Sequence, residues 1–483
     1  MSSKATIISS LIWKFLERIG IQGTQFVVSI VLARLLAPEN FGLIAIVTII
    51  ISIANVFIQS GLGTALIQKK DADNLDFSSV FYASLSLATI IYTGIFFTTP
   101  LIAQFYNNDE LIPIIRVLTL TLFIGVFSSI QYAYVARNMM FKKLFFRSMG
   151  SIIPSSIVGI SLAFAGFGVW ALVAQQLFSA SLSVIILWFT VPWRPRLSFS
   201  FQRLGKLFSF GWKLLLSSIL DTIYSQIQGI VIGKMFSPAS LAFYDRGSHF
   251  PYIIVNNINN SIQAVMLPSL AAYQDDRPQV KKMMRRAIVT SSFLIIPMMA
   301  GLAAIAEPLV LVLLGEKWLP CVPFVRIFCF FYAFYPIHTS NLSAINALGR
   351  SDIFLKLEII KKIYGLAILI GFIFYFRSPI GIAYGAALSA LIASFVNASP
   401  NKKLLNYSYF EQLKDIAPSI LLTCLMTVVI SSLTYLHLNN YITIILQITV
   451  GCIIYLGLAK ILHFECLDYL IKTVAEFKRK HGK

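Results

Sequence analysis

Residues 41–58 read FGLIAIVTIIISIANVFI, a run of eighteen residues without a charged side chain. A helix that crosses the hydrocarbon core of a bilayer needs about 20 mainly apolar residues, so this run is a candidate span. Working outward from it, we find similar runs along the whole 483-residue chain. The predicted spans are residues 11–36, 41–67, 77–100, 111–135, 149–165, 168–190, 210–234, 248–271, 287–314, 322–346, 357–376, 380–398, 416–435 and 441–463. The sequence therefore predicts an all-α polytopic membrane protein with about 14 transmembrane helices.

The composition supports this fold class and raises a question about charge. Hydrophobic residues make up 57% of the chain and charged residues only 12%, about half of the charged fraction usual in soluble domains. Yet Lys and Arg exceed Asp and Glu by 39 to 20, which gives a formal net charge of +19. A basic excess of this size can indicate nucleic-acid binding, so the positions of the cations decide its meaning.

The cations concentrate in alternate loops. Of the 39 Lys and Arg residues, 28 fall in segments that are cytoplasmic if the N-terminus is cytoplasmic. Five lie in the outer segments or outer helix ends: Arg116, Lys234, Arg246, Lys317 and Arg377. The positive-inside rule then predicts that both termini are cytoplasmic, and nucleic acid is not an expected partner. The loops are too short for an extramembrane catalytic domain, and neither an enzyme motif nor a metal-ligand spacing is found, so neither catalysis nor a cofactor is expected.

Self-comparison of the chain reveals an internal duplication. Residues 33–41, ARLLAPENF, match residues 233–241, GKMFSPASL, and residues 112–117, IPIIRV, match residues 322–327, VPFVRI. Further matches join Trp13-Lys14 to Trp212-Lys213, Asn55 to Asn256, Gln59-Ser60 to Asn260-Ser261, and Arg137 to Arg350. The offset grows steadily along the chain, as small insertions within a true repeat would make it grow.

The duplication predicts two parallel six-helix repeats around a central cavity, followed by two extra helices. The predicted domains are residues 1–200, residues 201–400, the two extra helices within 401–463, and a basic cytoplasmic tail at 464–483. Transporters built from such repeats commonly place the substrate between the halves and rock one half against the other.

These residues also resemble a known family. The run from Trp13 to Gly42, the segment Gly166-Phe167-Gly168-Val169-Trp170-Ala171-Leu172 and the motif Leu314-Gly315-Glu316-Lys317-Trp318 are similar to those of Wzx-type polysaccharide-lipid flippases. The nearest subgroup is that of the colanic-acid and teichuronic-acid exporters, within the multidrug/oligosaccharidyl-lipid/polysaccharide exporter superfamily. One departure is Ala242, where the family pattern usually has glycine.

The resemblance implies a transporter in the bacterial inner membrane. It would move an undecaprenyl-pyrophosphate-linked oligosaccharide from the cytoplasmic to the periplasmic leaflet, for surface polysaccharide such as O-antigen, colanic-acid-like polymer or capsule. The implied partners are this lipid, the bilayer, and the polysaccharide polymerase and assembly proteins. Two alternatives stay open: a cation-coupled multidrug exporter, and, less favoured, a polysaccharide polymerase.

Polar side chains follow one face of the first helix. Lys14, Arg18, Gln22, Gln25 and Ser29 recur at helical spacing. With a rise of 1.5 Å per residue, Arg18 lies about 10 Å inside the cytoplasmic end. Polar faces are also predicted around Asp221, in the seventh span, and along the eighth span at Asn256, Asn260 and Gln263.

These positions are the candidate site residues, because ionisable groups inside a membrane are costly and usually functional. A pyrophosphate is anionic, and a guanidinium offers it a bidentate fork. We expect Arg18, Lys14 and Lys213 to bind the pyrophosphate, and Gln22, Gln25, Asn256 and Asn260 to meet sugar hydroxyls. Asp221 and Glu17 are candidates for a coupling proton or cation. The alternative is structural: Glu17 and Arg18 would neutralise their neighbours, and Asp221 would pair with a cation to hold the halves together.

Overall fold

The computed structural model describes residues 4–469, except 60, 61, 64, 65, 67, 68 and 70, together with residue 472. The described side chains do not include those of residues 4–8, 10, 11, 210, 211, 213 and 214. Throughout this part of the chain the regular structure is helical. Packing divides the chain into two compact units, Met1–Ala242 and Phe243–Lys483.

The helices of the first unit are α1 Lys4–Leu35, α2 Pro38–Gln59, α3 Asn74–Tyr106, α4 Leu111–Leu118, α5 Thr121–Arg137, α6 Phe141–Phe164, α7 Val169–Thr190 and α8 Phe201–Met235. The helix α9, Pro238–Ala272, begins in the first unit and continues into the second. The second unit continues with α10 Arg277–Ala304, α11 Ala306–Leu313, α12 Val322–Ala333, α13 Tyr335–Ala347, α14 Ser351–Phe376, α15 Pro379–Ala398, α16 Asn401–Leu405, α17 Tyr409–Ser432 and α18 Asn440–Ile461.

The predicted class, an all-α polytopic membrane protein, is confirmed. In the described residues, 13 helical segments are long and apolar enough to cross a membrane. The remaining predicted span, 248–271, lies within α9 but is not among the 13. This span is less apolar than the others because polar side chains lower the mean hydropathy of the helix. They are those of Asn256, Asn257, Asn259, Asn260 and Gln263.

Small residues let the helices of the first unit approach closely. The helix α1 packs on α6, and α6 packs on α7. A Cβ added to Gly20 would lie 2.8 Å from the Met149 sulfur, and one added to Gly159 would lie 2.8 Å from Cβ of Gln175. Because tightly packed membrane helices favour small residues at their contacts, these glycines help to hold α6 between α1 and α7.

The beginning of α3 is tied to the beginning of α8 by charged side chains. Asp73 and Asp76 form a capping box at the start of α3, and Arg203 Nη1 lies 2.5 Å from Asp73 Oδ2. Lys69 Nζ lies 2.5 Å from Asp76 Oδ2, and Asp76 is fully buried. The backbone N–H of Asp76 and the guanidinium of Arg203 stabilise the Asp73 carboxylate and hold its pKa below the usual value.

The second unit contains a buried amide network at one end of its bundle. Asn341 donates to Gln412 at 2.7 Å, and Asn401 donates to the side-chain oxygen of Asn341 at 2.7 Å. All three residues are fully buried. Because buried polar groups are costly without partners, these bonds fix the positions of α13, α16 and α17.

Candidate functional site on the first helix

The predicted polar stripe of α1 is accessible along much of its length. Arg18 and Gln25 are exposed, while Gln22 and Ser29 are half-buried. Ser29 donates to the backbone oxygen of Phe26 within the same helix. The predicted cation Arg18 and the two glutamines therefore all keep part of their surface exposed.

Glu17 lies behind this stripe, buried in the contact between α1 and α6. Its residue is only 3% exposed. Its Oε2 lies 3.0 Å from Lys14 Nζ, and its Oε1 lies 3.5 Å from Arg147 Nη2. The hydroxyl of Ser148 donates to the same Oε1 at 2.9 Å. One carboxylate therefore holds two cations, so the cluster formed by Lys14, Glu17 and Arg147 keeps a net charge of +1.

The two cations of this cluster differ in exposure. The Lys14 side chain is 48% exposed, and its ammonium lies 5.8 Å from the ring centre of Tyr132 and 5.9 Å from that of Phe141. The Arg147 side chain is only 20% exposed, and its Nε is buried without a hydrogen-bond partner. Lys14 therefore presents more of its surface to the surroundings than Arg147 does.

Arg147 was not singled out from the sequence as a site residue. It falls within a run of inner cations that also contains Arg137, Lys142 and Lys143, and that run is explained by membrane orientation. Only the packing of α6 on α1 shows that Arg147 meets Glu17. The sequence signal that pointed to such a partner was Glu17, a carboxylate within a predicted span, because a carboxylate there needs a cationic partner.

The predicted site residues of α8 lie in the same unit. Asp221 is exposed, and Tyr224 and Gln228, one and two turns further along, are half-buried. The side chain of Lys213 lies outside the described residues. The helix itself packs on α2 and α3.

The asparagine-rich face of α9 belongs to the second unit. Asn260 Nδ2 donates to Asn256 Oδ1 at 3.2 Å, so these two predicted residues are brought together. Asn260 is exposed and Asn256 is half-buried. Their neighbours Asn259 and Gln263 instead accept hydrogen bonds from Thr339 and Ser343 of α13. The amides of Asn259 and Gln263 therefore help to fix the packing of α9 on α13, whereas those of Asn256 and Asn260 lie on the more exposed part of this face.

Comparison with known proteins gives these arrangements a context. The chain is 28% identical to the succinoglycan biosynthesis transport protein ExoT of Rhizobium meliloti (strain 1021), over 65% of this chain and 63% of ExoT. It is 24% identical to the lipopolysaccharide biosynthesis protein WzxC of Escherichia coli (strain K12), over 87% of this chain and 83% of WzxC. The alignment thus spans less than two thirds of ExoT but most of WzxC.

The fold is similar to that of a solved flippase. The structure of the lipid II flippase MurJ in an inward closed conformation superposes with a TM-score of 0.73. The match covers 95% of this chain and 99% of MurJ, at 17% sequence identity. The sequence model of one family, described as polysaccharide biosynthesis protein, matches residues 31–323, which is more than half of the chain. The chain therefore belongs to this polysaccharide biosynthesis protein family.

Proposed function

We propose that this protein flips an undecaprenyl-pyrophosphate-linked oligosaccharide from the cytoplasmic to the periplasmic leaflet for surface polysaccharide export. The observation that carries the substrate proposal is the cationic cluster of Lys14, Glu17 and Arg147 beside the exposed Arg18. Cations are costly within a membrane-spanning bundle, and a net positive site there suits an anionic headgroup. Family membership and the flippase-like fold support transport of a polysaccharide precursor.

The proposed roles follow from the chemistry of each side chain. Arg18, Lys14 and Lys213 bind the pyrophosphate, for which a guanidinium offers two parallel donors. Amides that donate and accept hydrogen bonds suit sugar hydroxyls. The residues proposed for this second role are Gln22, Gln25, Asn256 and Asn260.

Glu17 and Asp221 are the proposed ion-coupling residues. Glu17 already neutralises one unit of charge between Lys14 and Arg147. In this proposal a coupling proton or cation would bind at the Glu17 carboxylate or at Asp221.

The proposed cycle is alternating access between the repeat halves 1–200 and 201–400, with 401–463 as added helices and 464–483 as a basic tail. The boundary at residue 200 comes from the internal repeat. By packing, the helix α8, which follows that boundary, belongs to the first unit. We propose the bacterial inner membrane as its location, with both termini in the cytoplasm as the cation distribution favours. Polysaccharide polymerase and assembly proteins are the proposed partners.

Deletion of the gene tests this function against the alternatives. We expect loss of surface polymer together with accumulation of its lipid-linked precursor in the cytoplasmic leaflet. A multidrug exporter would instead leave the glycans unchanged and raise sensitivity to cationic dyes. A polymerase would leave single repeat units exposed on the periplasmic side.

Replacement of Arg18 tests the proposed anion site. We expect Arg18→Ala to reduce surface polymer at least tenfold at equal expression, and Arg18→Lys to retain an intermediate amount, because lysine keeps the charge but not the fork. Arg196→Ala is the matched control, since Arg196 is an exposed arginine outside the helices. Wild-type export from both Arg18 variants would rule out the anion-binding role.

A further inference from the structure

A histidine and an asparagine meet inside the second unit, away from the cluster on α1. His338 of α13 and Asn397 of α15 approach with Nδ1 and Nδ2 2.6 Å apart. Asn397 is fully buried. The ring of His338 is stacked on Tyr335, with the ring centres 5.6 Å apart.

The orientation of the Asn397 amide goes with one protonation state of the ring. With Nδ2 facing the ring, the amide donates and Nδ1 of His338 accepts. In this arrangement the ring is neutral, with its proton on Nε2. The other amide atom, Asn397 Oδ1, is buried and has no hydrogen-bond partner. A buried acceptor without a partner is unfavourable.

Adding a proton to the ring supplies a donor for Oδ1. Nδ1 would take a proton from a hydronium ion, which is left as water, and would become an N–H group that can no longer accept from Nδ2. Rotation of the Asn397 amide by half a turn would then place Oδ1 where Nδ2 now lies, and Oδ1 would accept from Nδ1–H. The same two side chains therefore offer a hydrogen bond in either state of the ring, with opposite directions.

The titratable groups around the ring come from three neighbouring helices and from its own helix α13. On α14, Lys361 Nζ lies 2.5 Å from Glu358 Oε1, and their side chains are 11% and 29% exposed. In the described chain, Lys361 is the charged group that acts on His338, and its pairing with Glu358 leaves the pair neutral. The other titratable neighbours are tyrosines: Tyr252 of α9 faces Tyr335, and Tyr332 of α12 also lies beside it.

We propose that His338 and Asn397 form a proton-binding site through which the transporter is coupled to a proton gradient. This inference rests on the proposed function, because the coupled movement is that of the lipid-linked saccharide. His338 is half-buried and Asn397 is fully buried, so a charge on the ring is costly there. The ring therefore takes its proton more readily in a conformation that admits more water, so proton binding and that conformational change favour each other.

The first experiment measures the site without transport. The full-length protein is labelled with ¹⁵N-histidine in lipid nanodiscs, and the His338 signal is assigned as the one that His338→Asn lacks. We expect the wild-type signal to show an unprotonated Nδ1 at neutral pH, and to gain a proton on Nδ1 upon acidification. A proton already on Nδ1 at neutral pH, or a ring that never gains one, would overturn the proposal.

The second experiment measures coupling in proteoliposomes that contain a defined undecaprenyl-pyrophosphate-linked saccharide. We expect an imposed pH gradient to accelerate wild-type translocation several-fold, and His338→Asn to lose this acceleration while translocation without a gradient continues. His437→Asn is the matched control, because His437 is exposed and its positive φ of 46° suits asparagine. If the pH gradient does not change the rate of wild-type translocation, the proton-binding site of His338 and Asn397 is contradicted but the proposed function is not. If the wild-type protein translocates no saccharide at all, the proposed function is contradicted.

Discussion

Gly42→Ala is expected to abolish polysaccharide export and to lower the melting temperature of the protein. Gly42 is the fifth residue of α2 and lies against Pro238, the first residue of α9. A Cβ added to Gly42 would lie 1.8 Å from the carbonyl oxygen of Pro238 and 2.2 Å from its carbonyl carbon. These are backbone atoms, so a side-chain rotation cannot relieve the overlap. The starts of α2 and α9 would have to separate.

The expected cost exceeds that of an ordinary substitution. Extra atoms in a well-packed region cost about 1–3 kcal/mol, and here they also displace the junction between α8 and α9. We expect surface polymer to fall more than tenfold when the variant replaces the wild-type gene. The melting temperature is measured by fluorescence-detected chromatography of heated samples.

Gly94→Ala is the matched control for Gly42→Ala. Gly94 lies within α3, and a Cβ added there would meet no atom within 4 Å. Because alanine favours a helix over glycine by about 1 kcal/mol, this variant should be as stable as the wild type or slightly more stable. Wild-type export and melting temperature in Gly42→Ala would show that the contact with Pro238 does not constrain the fold.

Glu17→Ala is the second substitution with a large expected effect. It leaves Lys14 and Arg147 close together without their shared carboxylate, and it removes the acceptor used by Ser148. Removal of one partner from a fully buried ion pair costs about 3–5 kcal/mol, and the cost here should be smaller because the Lys14 and Arg147 side chains are 48% and 20% exposed. We expect a clearly lower melting temperature and less than a tenth of wild-type export.

Two further variants separate stability from function at this cluster. Asp352→Asn breaks the pair of Arg350 and Asp352, whose side chains are 46% and 63% exposed, and should leave the melting temperature close to that of the wild type, because exposed ion pairs contribute little to stability. The double variant Glu17→Leu with Arg147→Met should regain stability, because apolar residues often replace a buried ion pair without loss. It should still fail to export polymer. Full export by the double variant would show that the cluster only stabilises the fold.

The spans and the polar stripe of α1 were predictable from sequence for a physical reason. The thickness of the hydrocarbon core sets the length of each apolar run, and the helical period sets which residues share a face. Both are local properties, so the sequence places Lys14, Arg18 and Gln22 on one side of α1 without knowledge of its neighbours.

The partners across helices were not predictable in the same way. Glu17 and Ser148 are 131 residues apart, and His338 and Asn397 are 59 residues apart. Such pairs form only when two helices pack in one particular register, which a single sequence does not encode locally. The repeat was also an incomplete guide: Gly42 needs to be glycine, whereas its counterpart Ala242 is buried with a side chain in place.

The proposed function requires that this protein carry a pyrophosphate-linked saccharide across the bilayer. The most direct measurement uses the purified full-length protein in liposomes with a defined undecaprenyl-pyrophosphate-linked oligosaccharide, and follows the fraction of the saccharide that an added glycan-modifying enzyme can reach. We predict that wild-type protein exposes the inner-leaflet saccharide, while Arg18→Ala does so at least tenfold more slowly and Arg196→Ala does so at the wild-type rate. Equal exposure in protein-free liposomes and in liposomes with wild-type protein would contradict the account.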